Sequence, residues 1–120
     1  MIEINIPKMR QMFPFVIVAL LMAIPGQKIA AESKPGTQTA QELKVKGDTQ
    51  ETTVGYWLFL PKSYDKKKSW PLMLFLHGAG ERGDNLNQVK KWGPPKRVVV
   101  RKDFPFVVIS PQCPKNKRWD

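Results

Sequence analysis

The chain has 120 residues, which leaves room for one small domain. With 42% hydrophobic and 25% charged residues, it excludes disorder throughout and reads as globular. The net charge of +10 raises nucleic-acid binding, but the basic residues are scattered, with short clusters only at Lys66–Lys68 and at Lys115, Lys117 and Arg118. No recognition helix or aromatic-plus-basic repeat accompanies them, so the charge reads as a solvated surface with weak attraction to anionic surfaces and no nucleic-acid partner.

From the amino terminus, Lys8 and Arg10 precede the apolar stretch Met12–Ile24, which Pro25-Gly26 break before Ile29-Ala30-Ala31. A positive head, a short apolar middle, a helix breaker and small residues are the signature of a secretory signal peptide, with cleavage expected after Ala31. The apolar stretch is 13 residues, short of the ~20 needed to span a bilayer. The sequence therefore predicts a secreted or periplasmic protein with no stable membrane span after cleavage. The competing reading is an uncleaved anchor. Without residues 1–31 the net charge is still +8, so the basic character belongs to the remainder too.

Residues 32–40 are polar and breaker-rich and read as a linker. Residues 41–46 alternate weakly, with Leu43 and Val45 on one face, and predict an edge strand. Gly47-Asp48 is a turn signal. Thr52–Leu60 is β-branched and aromatic and predicts a second strand, ended by Pro61. A polar connection carries Lys66–Lys68 at its tip. Pro71 suits the start of the next strand, where a missing amide donor is tolerated. Leu72–Leu76 is apolar on both faces, as expected of a central strand covered by helices.

Asp84 or Asn85 is placed to cap a short helical turn running to Trp92. Gly93-Pro94-Pro95 interrupts it, and a second short helix begins at one of the prolines. Val98–Val100 has the opposite, strand-forming tendency. Phe106–Ser110 is a further buried strand, closed by Pro111. Early antiparallel pairing and then a crossover to a parallel strand predict an α/β fold.

The most informative segment is Leu72–Asp84, L-M-L-F-L-H-G-A-G-E-R-G-D. A buried strand empties into His77-Gly78-Ala79-Gly80, a loop whose backbone amides are left free. Fixed amides at that place stabilise the oxyanion formed when a nucleophile attacks an ester carbonyl. Ala79 N–H is the first candidate donor and Gly80 N–H the second. Gly78 lets the chain turn, and His77 supports the loop from its side chain.

Three other readings exist. Gly78-x-Gly80-x-x-Gly83 matches a dinucleotide-binding pattern, and Asp103 follows at a suitable distance. That pattern must open a long helix, which Gly93-Pro94-Pro95 precludes, and Asp103 precedes its strand instead of ending it. A plain surface turn, with Glu81, Arg82 and Asp84 pairing, is the second. A metal site from His77, Glu81 and Asp84 is the third, and its spacing matches no established ligand pattern.

A serine hydrolase also needs a nucleophile, a base and an orienting acid. None of Ser33, Ser63, Ser69 and Ser110 sits in G-x-S-x-G, and Ser110 is followed by proline, which offers no amide. His77 is the lone histidine, and its loop position suits scaffolding. Cys113 is the lone cysteine, which leaves no intrachain disulfide and no cysteine-based metal site. Between Gln112 and Pro114 it reads as structural.

The segment Tyr56–Asp120 resembles the exported esterases of the α/β-hydrolase superfamily: the phospholipase/carboxylesterase, polyhydroxyalkanoate-depolymerase-like and "predicted peptidase" group. The pieces that carry the resemblance are Y-W-L-F-L-P-K-S-Y-D (Tyr56–Asp65), W-P-L-M-L-F-L-H-G-A-G-E-R-G-D-N (Trp70–Asn85), W-G-P-P-K (Trp92–Lys96) and D-F-P-F-V-V-I-S-P-Q-C-P (Asp103–Pro114).

The resemblance implies a cofactor-free serine hydrolase acting on small-molecule or polymeric carboxylic esters. It carries over the oxyanion loop, His77 to Gly80. It carries over no nucleophile, base or acid, because in the family those positions lie beyond the equivalent of Asp120. The expected organisation is a signal peptide (1–31), a linker (32–40) and the amino-terminal part of an α/β-hydrolase domain (41–120). Such a part is expected to be inactive alone, with exposed edges and apolar faces on both Leu72–Leu76 and Phe106–Ser110. A different class also fits: a small secreted binding module using Trp57, Trp92 and Trp119 as stacking faces. Against it stands the ordinary role of tryptophan in core and loop packing.

Overall fold

The structure, a computed structural model, describes residues 3–4, 32–46 and 50–119. The apolar stretch Met12–Ile24, the cleavage point after Ala31 and the Gly47-Asp48 turn lie outside the described residues. Five strands form one mixed sheet: β1 (Glu3–Ile4), β2 (Gln38–Lys46), β3 (Glu51–Phe59), β4 (Trp70–Leu74) and β5 (Val107–Pro111). Their order across the sheet is β1-β4-β5-β3-β2. The pair β4–β5 is parallel and the other neighbours are antiparallel. This is the α/β arrangement expected from the sequence, with antiparallel first strands and then a crossover to a parallel strand.

Sequence order does not give the position of β5. It inserts between β3 and β4, with Val108 opposite Phe59 on one side and Met73 on the other. Both of its edges are therefore paired, which corrects the expectation that Phe106–Ser110 has an exposed edge. The long crossover carries the chain back across the sheet face, so that β5 enters the gap beside β4 and parallel to it. The strand expected at Leu72–Leu76 runs instead from Trp70 to Leu74, and apolar exposure is as expected: Leu74 on β4 and Leu76 beyond its end are 58% and 49% exposed. The outer edge of β4 meets the two residues of β1, Glu3 opposite Pro71 and Ile4 opposite Trp70.

Alternation along the strands divides the core. One face carries Phe59 and Val108, packed with Val98, Phe104 and partly buried Met73. The crossover covers this face: Asn85 caps a 3-10 helix at Leu86–Lys91, its side chain accepting from Asn87 N–H, and α1 (Gly93–Arg97) follows with proline at its first turns. Val98 belongs to the turn after α1 and is fully buried, so core packing overrides the strand tendency of Val98–Val100. The other face carries Leu60, Trp70 and Val107 with Leu58, Tyr64 and Leu72. It holds a groove of about 210 Å³ between Tyr64, Trp70, Leu72 and Ile109.

Strand β2 begins at Gln38, inside the stretch read as a linker. Register with β3 explains the extension, since Gln38 pairs with Phe59 at the buried end of the ladder. Gln38 Nε2 also donates to the Pro95 carbonyl at 2.8 Å, tying the edge strand to α1. Just before it, Gly36 adopts φ +79 and donates its N–H to the Leu60 carbonyl at 2.7 Å.

Candidate functional site

Strand β4 ends at Leu74, and Phe75 N–H still donates to the Ile109 carbonyl at 2.9 Å, so the chain leaves the sheet just before His77. Gly78 is extended (φ −76, ψ −175) and caps a 3-10 helix of three residues, Ala79–Glu81. The i→i+3 pattern of such a turn uses the amides of Glu81 and Arg82. The amides of Ala79 and Gly80 precede the first donor, and no hydrogen bond among the described residues engages them. Gly78, Ala79 and Gly80 are all exposed, and the space at Gly80 is open: an added Cβ would meet nothing within 4 Å.

His77 is 4% exposed, and both its ring nitrogens are occupied. Nε2 accepts the N–H of Cys113 at 3.0 Å, so in this arrangement the ring proton sits on Nδ1. Nδ1 donates to the Gly78 carbonyl at 2.6 Å. The Glu81 carboxylate stands 3.9 Å away on the same side. The ring is thus a strut between the segment after β5 and the first peptide of the loop. A general base needs a free nitrogen facing the substrate, and neither nitrogen here is free.

The segment after β5 supplies the rest of the support. Gln112 is buried, and its side-chain amide donates to the carbonyls of Glu81 (2.8 Å) and Asn85 (2.9 Å). Its own N–H donates to Gly55 O at 2.9 Å. Gly83, at φ +137, donates to the Cys113 carbonyl at 3.0 Å. Trp119 Nε1 donates to His77 O at 2.9 Å, and its ring meets the imidazole edge-on at 5.0 Å. Loop residues 77–85 are therefore pinned at four carbonyls or amides by residues 112–119. Cys113 is buried and free, in the structural role expected for it.

Gly93 packs against Phe75, on the segment that leads into the loop. It has φ +63, and a Cβ there would stand 2.6 Å from Cε2 of Phe75. Only glycine allows α1 to start this close to the strand that feeds the loop.

Ser110 Oγ is fully buried and makes no hydrogen bond among the described residues. Ser33 Oγ accepts from Gln41 Nε2 at 3.1 Å, far along the edge strand. Ser63 precedes the short 3-10 helix Tyr64–Lys66, and Ser69 leads into β4, both on the connection between β3 and β4. No described His/Cys/Asp/Glu group of three or more is arranged to hold a metal ion. The helix that a dinucleotide loop must open is absent: the three-residue turn ends at Arg82, which is extended.

Of the three tryptophans considered as contact residues, Trp57 is tied by Nε1 to the Leu86 carbonyl (2.8 Å) and covered by Lys90 Nζ 3.7 Å from its ring centre. Burial lowers the Lys90 pKa, while the ring face beneath favours the charged form. Trp119 packs on His77, and only Trp92 is more than half exposed. Trp119 takes the loop-packing role weighed against a binding one, while sequence reading missed Gln112 and the partner of Trp119. Nothing local marks them, because their partners lie 27 to 42 residues away.

A thermostable esterase of known crystal structure is similar to this chain, with 33% sequence identity and a TM-score of 0.47 over 67% of this chain. The match covers 22% of that esterase, so the chain spans about a fifth of its length. No protein-family model matches the chain. No curated protein matches it either.

Proposed function

We propose that this chain supplies the oxyanion-binding part of an exported serine hydrolase acting on carboxylic esters. The observation that carries the reading is the pair of unengaged amides at Ala79 and Gly80, on a loop immobilised from behind by His77. In the reaction, a serine oxygen bonds to the ester carbonyl carbon and its proton passes to a base. The carbonyl π pair moves onto oxygen. The two N–H groups hold that oxygen without reorganising, and the tetrahedral species expels the alcohol, which takes the proton from the base. Water then releases the acid by the same sequence. No cofactor takes part.

In this reading the nucleophile, base and acid come from sequence outside these 120 residues, so the chain alone turns over no ester. The purified chain is tested with a short-chain nitrophenyl ester, and substantial hydrolysis would overturn the assignment. DNA immediately downstream of codon 120 is expected to encode G-x-S-x-G in some frame. In the protein joined to that continuation, Ala79→Pro is the decisive variant. Extended Gly78 accommodates a following proline, and the first position of a turn tolerates one, so folding is preserved. The variant removes one donor and is expected to lower kcat by about 10²–10³ with an unchanged melting temperature. An unchanged kcat would remove Ala79 from the site.

Export is part of the proposal. Cleavage after Ala31 would take β1 away and open the Trp70–Pro71 edge, where Pro71 has no amide to offer another strand. Amino-terminal sequencing of the exported product is expected to begin at Glu32.

A further inference from the structure

From Val89 to Lys102 the chain carries six cations, Lys90, Lys91, Lys96, Arg97, Arg101 and Lys102, and no acidic residue. Folding buries Val89 and Val98 and leaves three large apolar side chains of the stretch outside: Trp92 at 61%, Val99 at 49% and Val100 at 82% exposure. Lys96 links them. Val99 and Val100 line a shallow open groove with Gly93, Lys96 and Arg97, and Lys96 Nζ lies 5.1 Å from the centre of the Trp92 ring. The nearest acid in sequence, Asp103, stands 3.8 Å from Arg101. Among the described residues, no carboxylate lies within ion-pair distance of Lys91, Lys96 or Arg97.

A single exposed valine needs no explanation. An indole and two valines with Lys96 and Arg97 among them, cations without an ion-pair partner among the described residues, make a different surface. Its apolar part suits the boundary of a lipid bilayer, where tryptophan is favoured, and its cations suit lipid phosphates. We propose that this surface, from Trp92 to Val100, docks on an anionic membrane, with the two valines and the indole entering the headgroup boundary and Lys91, Lys96 and Arg97 meeting phosphate. It is separate from the loop at Ala79 and goes beyond the esterase reading.

The test uses tryptophan emission of the full chain mixed with vesicles of phosphatidylcholine, alone or with phosphatidylglycerol, some carrying brominated acyl chains. Residues 1–31 contain no tryptophan, so the signal reports the folded part even if the apolar amino-terminal stretch tethers the chain. Bromine quenching is expected only with phosphatidylglycerol present, and Trp92→Phe should abolish it. Lys96→Glu with Arg97→Glu should weaken it about tenfold or more, and Val99→Ser with Val100→Ser should also reduce it. Lys66→Glu, Lys67→Glu and Lys68→Glu together should leave it intact. Circular dichroism checks that these exposed substitutions leave the fold unchanged. Equal loss in the Lys66–Lys68 variant would reduce the effect to overall charge and overturn the proposal. So would quenching on phosphatidylcholine alone, or none, the result expected if a protein segment covers this surface instead.

Discussion

Two segments project past the carboxyl end of β5: the loop at 77–85 and the outer half of the β2–β3 hairpin, on either side of Lys46 and Glu51. The loop is glycine-rich and polar, the composition of a surface turn. The hairpin is β-branched and carries Leu43 and Val45, the composition of a strand seeking a core. Their environments are the reverse. The loop is held by His77, Gln112, Cys113 and Trp119 through bonds of 2.6 to 3.0 Å. In the hairpin, Leu43 and Val45 are 56% and 43% exposed, and its ion pair, Lys44 with Glu51, lies in solvent. Placement is decided by whether buried polar groups find partners, and apolar residues alone do not secure a segment that has nothing to pack against.

That contrast is broken most directly at His77. His77→Ala leaves the buried Cys113 amide without an acceptor and opens a hole beneath Trp119, for a loss of about 3 kcal/mol in denaturant unfolding. A loss below about 1 kcal/mol would mean that the ring is not the strut. Gly93→Ala comes next. It strains a left-handed backbone and drives a methyl into the Phe75 ring, at a cost of about 2 kcal/mol and with a blurred loop conformation. Gln112→Ala removes two bonds to loop carbonyls and is expected to cost about 1–2 kcal/mol. At the other extreme, Leu43→Ser or Lys44→Ala in the hairpin should change stability by about 0.5 kcal/mol or less, because neither side chain leaves water. A large effect there would show that the hairpin packs on something beyond the described residues.

Much of the frame was legible from local chemistry. Pro61 closes the segment just after β3 ends at Phe59, Asn85 caps the helical turn, and Pro94 and Pro95 lie in the first turn of α1, one residue past its start at Gly93, because each of these signals acts on its immediate neighbours. The His77-Gly78-Ala79-Gly80 loop was legible for the same reason, as an apolar strand stopping at glycine. What could not be read was anything set by distant pairing. The insertion of β5 between β3 and β4 depends on the path of the crossover. The start of β2 at Gln38 depends on register with Phe59. The burial of Val98 beside exposed Val99 and Val100 depends on which side of a turn faces Phe59. Gln112 carries no local signature at all, since a glutamine after a strand is ordinary until its amide reaches Glu81 and Asn85.

Amide hydrogen exchange, followed residue by residue, shows whether the N–H groups of Ala79 and Gly80 are free. The amides of Gly83, Gln112 and Cys113 donate to Cys113 O, Gly55 O and His77 Nε2, and should be protected. The amides of Ala79 and Gly80, a few residues away on the same pinned loop, should exchange close to the rate of an open chain. Protection at Ala79 and Gly80 equal to that at Gly83 would mean that both N–H groups already have acceptors, and no oxyanion could be held there.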